Sequence, residues 1–238
     1  MGERAGQLSF YQRAPYFIMR ARDHPLTEED YEEIRENYVE IWDVDLSTQI
    51  EHPLDYTHQS VEGLSEEEVR EALEEGWEKG GFRFFHTFGD MLSNWETNDT
   101  VAEFISEKIR ERLDDPELAE KLIPDDHPYG AKRPPLDYEG YYETYQKDHV
   151  NLIDVNEAPI EEITPRGIRT SESEYEHDTI IFATGFDAIT GGFTQLNITG
   201  RNGTTLTEKW EDGPRSYLGF SVDEFPNLHM ISGPQSPA

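Results

Sequence analysis

No cysteine occurs among the 238 residues, which removes disulfides, thiolate metal sites and redox dithiols from consideration together. Lysine is nearly as scarce: Lys79, Lys108, Lys121, Lys132, Lys147 and Lys209 stand against 51 aspartates and glutamates. No apolar run approaches the roughly 18 residues that read as a membrane span, and Met1-Gly2-Glu3-Arg4-Ala5 has no secretory leader pattern. The expected protein is therefore soluble and cytoplasmic, with no membrane partner. Histidine pairs at helical ligand spacing, an alternating acidic calcium loop and a Gly-x-Ser-x-Gly elbow are absent too, so neither a metal site nor serine-hydrolase chemistry is expected. Gly-x-Gly-x-x-Gly, the turn that seats a dinucleotide pyrophosphate on a helix N-terminus, is also missing, and there is no internal repeat.

What is present is acid. The net charge of −31 makes nucleic acid a poor partner, because approach is repelled rather than steered. The acid is diffuse, with no unbroken acidic run longer than Glu66-Glu67-Glu68, and little lysine accompanies it. That pattern points to a halophilic, salt-adapted surface, since self-repulsion fades as the Debye length falls to roughly 3 Å near 1 M salt. A mean hydropathy of −0.78 comes from this surface charge, while an aromatic content of 12% leaves material for a packed core.

Taken along the chain, Leu8–Arg13 reads as a strand closed by Ala14-Pro15. Thr27-Glu28-Glu29-Asp30 caps a helix whose Tyr31, Ile34, Tyr38, Ile41 and Trp42 recur at helical spacing, and the stripe is expected to pack into the core. Ser65 caps a second helix carrying Val69, Leu73 and Trp77. Val101, Phe104, Ile105, Ile109 and Leu113 mark a third, and Asp115-Pro116 opens a short fourth with Leu118 and Leu122. Between the second and third, Gly80 to Asp90 holds four phenylalanines, as a buried aromatic loop or as an apolar wall or gate. Short strands are expected at Val150–Val155, Ile160–Thr164 and Gly167–Thr170, then a buried strand through Ile180-Ile181-Phe182, and a last one over Asn227–Ser232.

Two stretches can carry chemistry. In Ala183-Thr184-Gly185-Phe186-Asp187 the glycine ends a strand, as it does either at a tight turn in a core or where a cofactor approaches the backbone. In Ala131-Lys132-Arg133-Pro134-Pro135 two cations stand side by side in a lysine-poor chain, either as ion pairs of a surface loop or as holders of two different anions. Arg13, at a strand end, is a further anion candidate, since a guanidinium can hold a phosphate bidentately.

In order along the sequence come Phe10-Tyr11-Gln12-Arg13-Ala14-Pro15, Ala21-Arg22-Asp23-His24-Pro25-Leu26, Gly80 to Asp90, and Tyr129-Gly130-Ala131-Lys132-Arg133-Pro134. Gly140-Tyr141-Tyr142-Glu143-Thr144-Tyr145, Ala183 to Asp187, Phe225-Pro226-Asn227 and Gly233-Pro234 follow. Together these segments resemble the type I Baeyer–Villiger flavin monooxygenases, in their cyclohexanone monooxygenase-like branch. The resemblance implies that Lys132 and Arg13 bind the 2′-phosphate of NADP. It implies that Arg133 is the catalytic arginine, stabilising negative charge that develops on the flavin side. It also places Ala183, Thr184 and Gly185 in the passage between the two cofactor domains and counts Asp187, Gly233 and Pro234 with them among the cofactor-binding residues. Ala14 stands where a hydroxyl residue is usual in the family, and Gln235 where asparagine or glycine is usual.

The family carries its two Gly-x-Gly-x-x-Gly turns ahead of the segments found here, so the resemblance implies a C-terminal portion. The expected fold is α/β, a partial Rossmann-like nucleotide-binding domain with a helical insertion. Residues 1–24 would form the end of the NADP-domain strand region, 25–128 the insertion, 129–182 the rest of that domain, and 183–238 a truncated return toward the FAD domain. The implied activity is FAD- and NADPH-dependent insertion of an oxygen from O2 next to a ketone carbonyl, with the N-terminal portion as partner and both cofactors unbound in this chain alone. Two other readings stay open: a non-catalytic acidic assembly module, and a related flavoprotein oxidising amines or sulfides.

Overall fold

The computed structural model describes residues 2–23, 25–47, 56–138, 140–185 and 188–236. They form two compact units, Met1–His177 and Asp178–Ala238, in a mixed α/β arrangement.

The first unit opens with β1 (Leu8–Gln12) and the two-residue β2 (Met19–Arg20). Helices α1 (Glu28–Glu36) and α2 (Tyr38–Ser47) follow, then α3 (Glu66–Lys79), the single turn α4 (Phe82–Phe85), α5 (Trp95–Arg112) and α6 (Pro116–Leu122). The chain then makes β3 (Leu136–Asp137), α7 (Tyr141–Tyr145), β4 (Val150–Asp154), β5 (Ile160–Thr164), β6 (Gly167–Thr170) and β7 (Glu174–Glu176). β1 pairs in parallel with β4, from Leu8 opposite Val150 to Gln12 opposite Asp154, and β2 pairs in parallel with β3. The helices lie in the crossovers that parallel pairing requires. β5, β6 and β7 form a separate antiparallel meander.

Local chemistry explains where the helices start. Thr27 accepts from Asp30 N–H and Ser65 from Glu68 N–H, while each acid reaches back to the cap backbone, so two capping boxes satisfy the orphan amides. Asp115 caps α6 with Pro116 at its first position. Leu73 and Trp77 of α3 and Val101, Phe104, Ile105 and Ile109 of α5 are buried in one cluster with Phe84, Phe88, Leu122 and Tyr129. Of the Gly80 to Asp90 segment, Phe84 and Phe88 thus serve as core, while Phe82, in the same helical turn as Phe84, stays 50% exposed.

The first apolar stripe departs from expectation. Its helix breaks at Asn37, and Tyr38 and Trp42 are 59% and 52% exposed, with Tyr31, Ile34 and Ile41 on the surface as well. Periodicity aligns these side chains on one face but cannot supply the body that would cover it.

In the second unit α8 (Gly191–Thr194), a 3-10 turn (Arg201–Gly203) and α9 (Leu206–Lys209) surround a small core of Leu206, Trp210, Val222, Phe225 and Met230. The buried strand expected through Ile180–Phe182 is absent: residues 178–185 form no strand, and Ile181 and Phe182 are 62% and 69% exposed. β-Branched composition makes a strand only where a neighbour takes up its backbone hydrogen bonds, and no described residue does so here. The strand expected over 227–232 is reduced to an isolated bridge between His229 and Ser221. No helix among the described residues is long and apolar enough to cross a membrane.

Buried tyrosines make the first unit sensitive to alkali. Burial pushes the phenols of Tyr129, Tyr141, Tyr142 and Tyr145 upward, and that of Tyr11 to about 12, through burial and then the nearby Tyr175. A raised phenol contributes stability that is complete below its unfolded value of about 10 and is lost as pH climbs through the folded value. Tyrosinate absorbance is therefore expected in two stages, the exposed phenols near pH 10 and the buried ones only together with loss of circular dichroism above it. Uniform titration of all the tyrosines with the fold intact would contradict the assignment.

Candidate functional site

In parallel α/β sheets ligands sit beyond the carboxyl ends of the strands, and Arg13 is the first residue past β1. Its carbonyl accepts from Asn156 Nδ2 at 2.6 Å, and Asp154 Oδ1 fixes Asn156 by accepting from its backbone N–H at 2.8 Å and from its side chain at 2.9 Å. Gln12 Nε2 donates to the Lys121 carbonyl at 2.8 Å and ties the same end to α6. The backbone at Arg13 is thus held from two sides. Its guanidinium is exposed and has no ion pair among the described residues.

Three residues further on, Tyr16 meets the second cationic segment. Lys132 Nζ lies 5.3 Å from the Tyr16 ring centroid and 3.3 Å from Asp126 Oδ2. The structure so brings together the segment that follows Arg13 and the loop that carries Lys132. Asp126 is bonded by His127 Nδ1, and that contact, followed by Lys132, holds its carboxyl below the usual carboxylate range. Asp126 therefore stays ionised in its pair with Lys132. The ring of His127 rests edge-on against Phe17, 5.6 Å away.

Arg133, next in the chain, is exposed and unpaired among the described residues. All six lysines make ion pairs; among the described residues, the lysine and arginine side chains without one are all arginines, Arg13 and Arg133 among them. In a chain with a net charge of −31, a guanidinium left unneutralised is available to an outside anion. The two adjacent cations therefore differ in kind, Lys132 being partnered and Arg133 free.

The remaining candidates lie in the second unit. Ala183, Thr184 and Gly185 are exposed, and Gly185 has φ +87°. A Cβ at Gly185 would meet nothing within 4 Å, so its left-handed backbone, and no close neighbour among the described residues, is what calls for glycine. Asp187 lies outside the described residues. Gly233 and Pro234 are buried: Gly233 N–H donates to Gly219 O at 3.0 Å, and Ser216 Oγ donates to Pro234 O. Gln235 has φ +66°, a region that glycine and asparagine enter at least cost. Arg201, Phe225, Pro226 and Asn227 line part of a cleft of about 340 Å³ in this unit.

Asp126 and Tyr16 escaped the sequence reading. Asp126 precedes Lys132 by six residues and could have been paired with it on charge; nothing in the sequence marks Tyr16. No group of acidic, histidine or cysteine side chains among the described residues is placed to hold a metal.

No protein-family model matches the chain. Among curated proteins it is 41% identical over 237 residues to cyclopentanone 1,2-monooxygenase of a Comamonas species, covering 98% of this chain and 43% of that protein. It is 38% identical over 236 residues to a Baeyer–Villiger monooxygenase of Pseudooceanicola batsensis, with the same coverage. Among solved structures, OTEMO in complex with FAD and NADP superimposes with a TM-score of 0.91 at 40% identity, over 98% of this chain and 43% of the other. The family resemblance carried by the motifs is borne out along nearly the whole chain, which spans about 43% of the length of the curated relatives it matches.

Proposed function

We propose that this chain is the C-terminal portion of an FAD- and NADPH-dependent Baeyer–Villiger monooxygenase, contributing part of a Rossmann-like NADP-binding domain with a helical insertion. The reaction is the balanced conversion of ketone, O2, NADPH and a proton into ester or lactone, NADP⁺ and water. The observation that carries the reading is the likeness, at 40% identity and TM-score 0.91, to a structure holding both cofactors.

The residues present fit the phosphate end of NADP. Arg13 offers an unpaired fork past a parallel strand, and Lys132 offers a point charge that can exchange Asp126 for a phosphate. When bound, NADPH supplies a hydride and FAD the activation of oxygen. In this chain Arg13 and Lys132 hold the 2′-phosphate, and Arg133 keeps a permanent positive charge where negative charge develops. FAD is a different case: the sequence contains no glycine turn to seat its pyrophosphate.

The test is a chimera in which this chain replaces the matching segment of a relative. It is expected to consume NADPH in step with lactone formation from a cyclic ketone. Coupled turnover of amines or sulfides with no ketone product would move the protein to the related flavin oxidations. A folded chimera that neither consumes NADPH nor forms product would return the chain to the acidic assembly module.

A further inference from the structure

The loop that presents Lys132 and Arg133 has no regular structure of its own, yet both its ends are held by one helix. At the entering end Tyr129 is gripped twice by Asn98 of α5. Its N–H donates to Asn98 Oδ1 at 3.1 Å, and its carbonyl accepts from Asn98 Nδ2 at 2.8 Å. The same Nδ2 also donates to Met91 O at 2.7 Å, so both amide hydrogens and the oxygen are in use. Asn98 is only 5% exposed, and a buried carboxamide is tolerated only when satisfied in this way. Two bonds to the two sides of one residue fix the direction in which the chain leaves. Gly130, at φ +83°, then turns it toward the cations.

At the leaving end Asp137 of β3 accepts from Arg112 Nη2 at 2.7 Å, while the guanidinium also forks onto Glu143 with two bonds of 2.8 Å. Arg112 lies 4.9 Å over the Tyr142 ring. Burial works against its charge, but the bonds to Glu143 and Asp137 outweigh it and raise its pKa further. Asn98 and Arg112 are fourteen residues apart on α5, a separation of about 21 Å along a rigid helix whose middle is buried.

We propose that Asn98 and Arg112 are positioning residues, making α5 a ruler that sets where Lys132 and Arg133 stand. The helical insertion thereby governs the geometry of the anion site. The functional consequence rests on the NADP reading above; the mechanical one does not.

The experiment uses the full chain and its Asn98→Ala, Arg112→Met and Arg112→Lys variants. Trypsin cleavage after Lys132 is compared with cleavage after Arg166, in the β5–β6 turn and away from α5. Loss of these bonds is expected to raise the ratio roughly tenfold or more in Asn98→Ala and Arg112→Met, since cleavage follows the population of the open loop. Arg112→Lys, which keeps the charge but not the fork, is expected to fall between. In parallel, 2′,5′-ADP is titrated while the amide NMR signals of Ala131, Lys132 and Arg133 are followed. Saturable shifts are expected in the parent and weakened ones in the variants. An unchanged cleavage ratio, or equal acceleration at both sites through general unfolding, overturns the proposal. A changed ratio with no 2′,5′-ADP response in the parent upholds the positioning role and counts against the phosphate assignment instead.

Discussion

Phe84→Ala is expected to destabilise the first unit by about 3–5 kcal/mol, the usual cost of deleting a fully buried phenylalanine ring. Phe84 has no exposed surface, and its ring centroid lies 5.7 Å from that of Trp77 and 6.1 Å from those of Phe104 and Tyr129. The three neighbours come from α3, α5 and the start of the cation loop, so they cannot all close on the cavity without moving helices. Gly76 sharpens the point: a Cβ there would meet Thr87 Oγ1 at 2.2 Å and Phe84 Cδ2 at 3.3 Å, so α3 already approaches as closely as it can. For a unit of this size the melting temperature should fall by roughly 6–20 °C. The control is Phe82→Ala, two residues away and 50% exposed, which should cost less than about 1 kcal/mol. Equal losses from the two substitutions in thermal or urea melts would show that the aromatic cluster is not the core it is taken for.

The residues of that core were legible in sequence because local and tertiary demands agree there. Leu73 and Trp77, and Phe104, Ile105 and Ile109, recur with the helical period, and the caps Ser65 and Asp115 stand where their helices begin. Tyr31, Tyr38 and Trp42 follow the same period and remain on the surface, because a stripe records an apolar face and not its cover. Ile180–Phe182 failed for a related reason: a strand is a property of a pair, and no described residue supplies its partner. β2, β3 and β7 are two or three residues long, too short for alternation to be read.

At the site, adjacency made Lys132 and Arg133 conspicuous, and Arg13 was marked by its place at the end of a strand. Their difference was hidden, since Asp126 and Tyr16 reach Lys132 only through the fold. Asn98 is harder still. In sequence it is one polar residue among several near the start of an acidic helix, and only its two bonds to a residue thirty-one positions away reveal what it holds.

The contrast between the neighbouring cations gives the other large expected effect, measured in the chimera described above. Arg133→Ala should lower oxygenation roughly 10²–10³-fold, the scale for removing one stabiliser of developing charge, while NADPH oxidation persists without product. Arg133 suits that role because its charge is permanent and no described carboxylate neutralises it. Lys132→Ala should act on binding instead. The 2′-phosphate is remote from the reacting atoms, so the NADPH KM should rise by roughly tenfold or more and the preference over NADH should narrow, with kcat nearly kept. The existing Asp126 contact sets the sign of a third variant: Asp126→Asn releases Lys132 and removes a negative charge beside the phosphate, so the NADPH KM should fall a few-fold. Rapid-mixing measurement of flavin reduction, product analysis and steady-state kinetics with both nucleotides separate these outcomes. If Arg133→Ala still forms lactone near the parent rate, or if Lys132→Ala and Arg133→Ala share one phenotype, the two cations have no separate roles and belong to a charged surface loop.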